Sequence, residues 1–400
     1  MIEVALDRWK SALLTILCLS IPTGGQAQSA FRLSGAATLQ ASFIDPNSGS
    51  LLADQQPDTL GRAGVKFGVR NRDFLKGRFF GEFAAYGERS VGDDLVDDAE
   101  SRVNELHMIY DFGNSSVVVG RKRTEWGTGL VSSPTNIISV APSPIDPDDD
   151  FFRIEGRDVI QYTYTATDSS IDLLVVREEE NSRFLNDLSV ATRYYTNLEG
   201  VDLSFVGGLE RDGEYVFGAN LAFTVGQSLE LHADVVYDSS AVRGGPLVEN
   251  LGQIEIMRTD SASALAGGQW TPNRNWNVIL EYLYFQDGLS NGTVEELVGN
   301  RTLPLRLAVA GGSGLLQTHY LFGRVSRDEV LPNALNVDLE YTLLQSLENA
   351  GGLHSVRATR EIGGYGGVYA ETAANVGNER TELGQFPASF ALRLGVELEF

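Results

Sequence analysis

From Phe31 to Phe400 the chain alternates between apolar and polar residues with a period of two. At the far end, Phe390, Leu392, Leu394, Val396, Leu398 and Phe400 fall on one face, and Ala391, Arg393, Gly395, Glu397 and Glu399 on the other. Trp276, Val278, Leu280, Tyr282 and Tyr284 form a second stripe. Leu335, Val337, Leu339, Tyr341 and Leu343 form a third, opposed by Asn336, Asp338, Glu340 and Thr342. Near the start, Val65, Phe67 and Val69 oppose Arg62, Lys66 and Arg70. Successive side chains of a strand point to opposite faces, so each stripe predicts a strand with one apolar and one polar side. No stretch of comparable length has a helical period, and no repeat of a propeller or solenoid is present. The fold class is all-β.

Such strands suit either a soluble sandwich, apolar face inward, or a membrane barrel, apolar face toward lipid. Three features favour the barrel. About 18 segments have roughly the 9–11 residues that a tilted strand needs to cross a bilayer. Connections alternate in length: short near 71–74, 112–116, 166–169, 197–199, 226–228, 271–275 and 362–365, long at 45–58, 88–101, 124–156, 239–260, 287–314 and 376–387. Short turns on one side and long loops on the other are the asymmetry of outer-membrane barrels. Finally, Tyr162, Tyr164, Tyr194, Tyr195, Tyr282 and Tyr284 fall near strand ends, as interfacial aromatics do. The segment 303–309 reads ambiguously, so the expectation is a transmembrane antiparallel β-barrel of about 16–18 strands.

The first 27 residues read as a secretory signal and residues 28–400 as the barrel. Arg8 and Lys10 precede the apolar run Ser11–Ile21, and Gly25-Gln26-Ala27 places small residues where a signal peptidase cuts. Leu17 before Cys18 argues against a lipoprotein, which needs a small residue there. Cys18 is the only cysteine, so no disulfide framework exists. The chain has 400 residues, with 31 Lys+Arg against 54 Asp+Glu and a net charge of -23. Removing the signal deletes Arg8 and Lys10 together with Glu3 and Asp7, which leaves the net charge unchanged. This acidity disfavours a nucleic-acid partner.

In these features the chain resembles a bacterial outer-membrane porin. The final strand ending in Phe400 is similar to the signal such barrels present to the barrel insertion machinery. Val119-Gly120-Arg121-Lys122-Arg123, followed by Trp126-Gly127-Thr128-Gly129 and Ser133-Pro134-Thr135-Asn136, is similar to a sequence that leaves a strand in several porin-like families. The resemblance implies an outer-membrane location, lipid around the barrel, passage of small hydrophilic solutes or ions, no cofactor, and often a homotrimer. It also implies that the third long connection, 124–156, folds inward as a constriction. That segment contains Trp126, Asn136 and the acidic residues Asp146, Asp148, Asp149 and Asp150, stiffened by Pro134, Pro142, Pro144 and Pro147. A solvated acidic outer loop is the other reading of it.

A closed barrel of this size leaves an aqueous channel, so selectivity depends on inward charges. Arg62, Lys66 and Arg70 share one strand face, and four residues span about 13 Å, so they form a basic ladder. Arg121 and Arg123 share a face of the strand feeding the long connection, and Arg193 and Arg393 are expected inward. Glu82, Glu105, Asp111, Asp338, Glu340 and Glu397 are assigned inward because a charge facing lipid at mid-membrane costs about 2–4 kcal/mol. These charges either set a transverse field or pair with one another and solvate the wall. The runs at Asp93-Asp94, Asp97-Asp98, Asp146–Asp150 and Glu178–Glu180 lack EF-hand spacing and read as solvated loops, so no metal is expected. His232 and Asp234 share a face without an evident nucleophile and read as a satisfied inward pair. His354 and Ser355 point to opposite faces. No enzyme is expected. The rival function is a non-channel outer-membrane barrel for surface binding or polysaccharide handling and export, its interior blocked by loops 239–260 and 287–314.

Overall fold

The computed structural model describes residues 31–46, 50, 59–75, 77–91, 97–130, 132–138, 156–177, 188–210, 213–241, 247–250, 253–256, 259–300, 315–331, 336–385 and 388–399. The signal segment 1–27, Asp146, Asp148, Asp149, Asp150, the segment 303–309 and Phe400 lie outside these residues.

The strands are β1 (Arg32–Pro46), β2 (Thr59–Phe74), β3 (Gly77–Val91), β4 (Asp97–Phe112), β5 (Ser115–Lys122), β6 (Arg157–Thr165), β7 (Ser169–Val176), β8 (Leu188–Leu198), β9 (Val201–Glu210) and β10 (Tyr215–Val225). They continue as β11 (Leu229–Ala241), β12 (Leu247–Asn250), β13 (Gln253–Ile256), β14 (Thr259–Asn273), β15 (Trp276–Phe285), β16 (His319–Arg327), β17 (Val337–Ser346), β18 (Gly352–Glu361), β19 (Gly366–Val376) and β20 (Ala388–Glu399). Eighteen of them form one sheet, and β12 with β13 makes a separate hairpin in the connection between β11 and β14. Each strand of the large sheet pairs antiparallel with its neighbour in sequence, and β1 pairs with β20 from Ala36↔Glu399 to Pro46↔Ala388. The sheet therefore closes into an 18-stranded barrel with no free edge.

One rim carries the short turns. At Glu199-Gly200 and Gly363-Gly364 both residues have positive φ, the geometry of a two-residue hairpin turn that follows strand twist. The opposite rim carries the connections 123–156, 242–258, 286–318 and 377–387. Several strands outrun the 9–11 residues expected from bilayer thickness, since β2 and β4 each have 16. The turn expected near 71–74 falls two or three positions later for the same reason, because β2 continues to Phe74. Within 286–318, helix α1 (Asn291–Gly299) is capped by the Ser290 side chain accepting from the Thr293 N–H, and its Val294 is buried against Leu289 and Leu316.

The register assigns every strand residue to a face. Leu39, Phe43, Ile160, Leu173, Phe205, Phe217, Val235, Leu280, Val356, Phe390, Leu394 and Leu398 point outward and are exposed. The stripe Trp276, Val278, Leu280, Tyr282 and Tyr284 lies on this outer face. Tyr195 is a correction: it stands in register with Ser170 and Ser204, so it faces inward, where its hydroxyl donates to Asp202. Tyr194 beside it faces out and is exposed. Outward histidines complete the aromatic band, His319 Nδ1 lying 2.7 Å from the Tyr282 hydroxyl and His354 Nδ1 2.7 Å from that of Tyr341.

The inner face is less polar than alternation alone predicts. Two dry clusters lie inside the barrel. In the first, Trp126, Ile137 and Ile138 pack on Val159, Leu174, Val176, Ala191, Val206, Val216 and Val236. In the second, Leu315, Leu383 and Leu130 pack on Leu265, Ile279, Leu283, Phe285, Tyr320, Phe322, Leu344 and Leu353. The reason is loop folding: segments from the long-loop rim enter the barrel and cover apolar side chains that would otherwise meet water.

Candidate functional site

The inward charges divide into three groups. On β2, Arg62, Lys66 and Arg70 follow one another on the inner face, in register with Gln40, Ala36 and Arg32 of β1. Arg70 also lies over the Phe80 ring, 4.8 Å from its centroid. The second group is an alternating ladder across β16 to β20. Arg324 lies 3.8 Å from Glu340, Arg357 is 3.0 Å from Glu397, and Arg393 is 2.6 Å from Glu371. Solvent reaches into this ladder: 44% of the Glu397 side chain and 25% of that of Arg393 are exposed. Asp338 shares the inward face of β17 with Glu340, opposite Thr359.

The third group anchors the start of the long connection. Glu82 and Glu105 stand directly opposite each other on β3 and β4. The Arg123 guanidinium bridges them at 3.5 and 3.6 Å, and its backbone N–H donates to Glu105 at 2.8 Å. The Asn104 amide donates to Glu82 at 3.2 Å. Arg193 pairs with buried Asp172 at 2.8 Å and lies over the Trp126 ring, 5.6 Å from its centroid. Asp111 faces inward toward the short-turn rim and pairs with Arg78 at 2.8 Å.

Arg121 departs from the expected face. It stands in register with Leu106 of β4 and Asp158 of β6, on the outward stripe that includes Val119 and Ile160. Asp158 is 2.9 Å from it, and Arg177 follows at 3.8 Å from the same carboxylate. The shared face of Arg121 and Arg123 fails because β5 ends at Lys122, and the chain turns inward before Arg123. The acidic residue beside Arg121 and its place near the strand end remove the cost that placed it inside.

Past Arg123, residues 124–130 and 132–138 form a strap along the inner wall. Trp126 is buried in the first dry cluster, and Asn136 accepts from its N–H at 3.3 Å. Asn220 donates to the Trp126 carbonyl and to the Thr135 hydroxyl, each at 2.8 Å. The hydroxyls of Thr128, Ser133 and Thr135 all donate to Asp234, that of Thr135 at 2.8 Å. The Leu130 N–H donates to Glu281 at 2.8 Å. Two glycines let the strap lie flat. A Cβ on Gly127 would overlap Ser133, and one on Gly129 would come within 2.4 Å of Leu265 on the wall. The Trp-Gly-Thr-Gly and Ser-Pro-Thr-Asn pieces are thus two sides of one folded unit.

His232 is held by Glu281, its Nε2 3.0 Å away, rather than by Asp234. Sequence reasoning paired His232 with Asp234 because they share a strand face, and Glu281 lies on another strand. Glu281, Asp172, Glu371 and Arg357 were not singled out from sequence. The signal was available for Glu281, a lone carboxylate in the apolar run Trp276–Phe285. A charge in such a run needs a buried partner. Among the described residues, no group of three or more potential ligands could hold a metal ion.

This architecture is that of the porin-like outer-membrane β-barrels. Three solved structures from Pseudomonas aeruginosa are similar to it. OccK5 (OpdH) has a TM-score of 0.54 and 11% identity, covering 92% of this chain and 98% of that one. OccK11 (OpdR) has a TM-score of 0.54 and 13% identity, covering 92% and 96%. OprD has a TM-score of 0.52 and 12% identity, covering 94% and 98%. No family model matches the sequence, and no curated protein matches it. At such identities the likeness establishes the fold.

Proposed function

We propose that the protein is a bacterial outer-membrane porin through which small hydrophilic solutes or ions diffuse passively along a mixed-charge, water-filled lumen. The observation that carries this reading is the asymmetry of the inner face. Strands β6–β11 and β14–β18 present apolar residues covered by the strap and loops. Strands β20, β1 and β2 instead present Arg393, Glu397, Arg62, Lys66 and Arg70, beside the buried polar residues Thr38, Gln40 and Ser42. An apolar belt outside and solvent-reached ion pairs inside suit a barrel that spans lipid and encloses water. The similar OccK and OprD barrels support the same reading at the level of fold. In this proposal residues 1–27 direct export, Phe400 closes the insertion signal, and the strap is the first part of a constriction. Trimerisation would follow the habit of the porins the sequence resembles. No catalytic role is assigned to any residue.

The test is single-channel recording of the full chain in planar bilayers, with reversal potentials under a salt gradient. Stable unitary currents are expected. Neutralising Arg62, Lys66 and Arg70 to Gln should move ion preference toward cations. An unchanged reversal potential would remove the basic ladder from the mechanism. A correctly inserted but silent barrel would overturn the channel and favour a barrel for surface binding or polysaccharide handling.

A further inference from the structure

We infer that Asp234 is the positioning residue that holds the strap inside the barrel and thereby sets the aperture of the proposed pore. The sequence assigns the constriction to Trp126, Asn136, Asp146, Asp148, Asp149 and Asp150 of the connection 124–156, and Asp234 anchors the described part of that connection. The inference rests on the porin reading for its consequence but not for its geometry.

Asp234 lies on the inward face of β11 and is 3% exposed. A carboxylate so buried needs its lone pairs satisfied. Its donors come from the strap: the hydroxyls of Thr128, Ser133 and Thr135, and the Thr128 N–H at 3.5 Å. These residues are about a hundred positions away in sequence, as the 99 between Thr135 and Asp234 shows. Three hydroxyl donors on one carboxylate fix two passes of the strap against one point of the wall. Asn220, in register with Asp234 on β10, adds the bond to Thr135 that closes the network. The bonds to a charged acceptor are the strong kind, and removing the acceptor leaves several buried hydroxyls without it.

The experiment compares the full-length wild type with Asp234→Ala, Asp234→Asn and Thr135→Ala, each refolded into lipid vesicles and shown to be heat-modifiable on gels. Hydrogen exchange followed by mass spectrometry reads the strap directly. In Asp234→Ala, peptides within 123–138 should exchange about tenfold faster or more, with the β1, β2 and β20 strands unchanged. Thr135→Ala should give a smaller increase, and Asp234→Asn, which keeps one acceptor, should recover part of the protection. In bilayers, Asp234→Ala should raise unit conductance and open-channel noise and admit larger sugars in liposome swelling. Unchanged strap exchange in Asp234→Ala overturns the inference, as does faster exchange with wild-type conductance and size cutoff. If every barrel, wild type included, is silent while strap exchange still rises, the anchor stands and the pore reading falls. If Asp234→Ala fails to fold, the Thr135→Ala and Asp234→Asn pair decides by the same readouts.

Discussion

Gly267 of β14 stands in register with His232 of β11 on one side and Glu281 of β15 on the other. Those two residues are separated by an entire strand, yet His232 Nε2 lies 3.0 Å from Glu281. They meet because nothing projects from position 267. A methyl there would lie 2.7 Å from Glu281 Cγ, 2.7 Å from the Leu280 carbonyl oxygen and 3.0 Å from His232 Nε2. The carbonyl belongs to the backbone of β15 and cannot swing aside, so the side chains must separate or the strands must shift. Overpacking of this kind costs about 1–3 kcal/mol. Weakening a hydrogen bond to a charged group costs about 1.5–3 kcal/mol. Both arise from one displacement and add only in part, so Gly267→Ala should destabilise by about 2–4 kcal/mol. Gly207→Ala is the matched control. Its Cβ would meet only Thr192 Cγ2 at 3.6 Å and the Val216 carbonyl at 3.9 Å, which is ordinary contact. That substitution should be neutral or stabilise by about 0.4–1 kcal/mol, through the unfolded chain. Equilibrium urea unfolding in phospholipid vesicles, followed by tryptophan fluorescence, measures both. A folding equilibrium at least about 30-fold weaker for Gly267→Ala than for Gly207→Ala is expected. Equal stabilities would refute the claim that Gly267 makes room for the His232–Glu281 contact.

Two other outcomes test the face assignments. Val356→Arg places a charge on the outward stripe midway along β18 and should lower stability by about 2–4 kcal/mol, whereas Thr359→Lys, inward and opposite Asp338, should change it by less than about 1 kcal/mol; urea midpoints in vesicles that rank the pair the other way would reverse the faces. Arg123→Ala leaves Glu82 and Glu105 facing each other without their bridging cation and should cost about 2–3 kcal/mol. Adding Glu82→Gln to that variant should restore part of the loss, and a double variant no more stable than Arg123→Ala would show that the two carboxylates are not strained once the cation is gone.

Much of the barrel was legible because lipid demands a continuous apolar stripe, and a stripe is a local property of sequence. The run Phe390, Leu392, Leu394, Val396 and Leu398 and the opposition of Val65, Phe67 and Val69 to Arg62, Lys66 and Arg70 could be assigned from spacing alone. The inner face was harder. Ile279, Leu283, Phe285 and Phe322 alternate with outward apolar residues, so their strands are apolar on both sides. Period-two reading gives the side but not what covers it, and the cover comes from Leu130, Leu315 and Leu383, distant in sequence. A near-continuous apolar run such as Trp276–Phe285 is the available sign of a strand buried on both faces. Arg121 misled for a related reason. Alternation holds along β5 but not beyond its end, so Arg121 and Arg123 were placed on one face although the chain turns between them. The strap motif was visible as a motif, yet its meaning required Asp234 and Glu281 from two other strands.

An 18-stranded barrel is too wide for wall side chains to fill, so whatever narrows it must be chain entering from a rim. Entering backbone brings N–H groups into a space where water is displaced, and these must find acceptors. The inward carboxylates of this protein divide along that line. Glu281 takes the Leu130 N–H, Glu105 takes that of Arg123, and Glu382 takes those of Leu316 and Gln317 at 2.8 and 3.2 Å. By contrast Glu340, Glu371 and Glu397 face arginines across β16 to β20, where solvent reaches Glu340 and Glu397 while Glu371 is buried. One set of acids therefore fixes inserted segments, and the other balances the cations of the wall. The net charge of -23 consequently says little about which ions the interior favours. Under the porin reading, the charges that decide are those that water reaches, and on β2 Arg70 is exposed while Arg62 and Lys66 are half-buried.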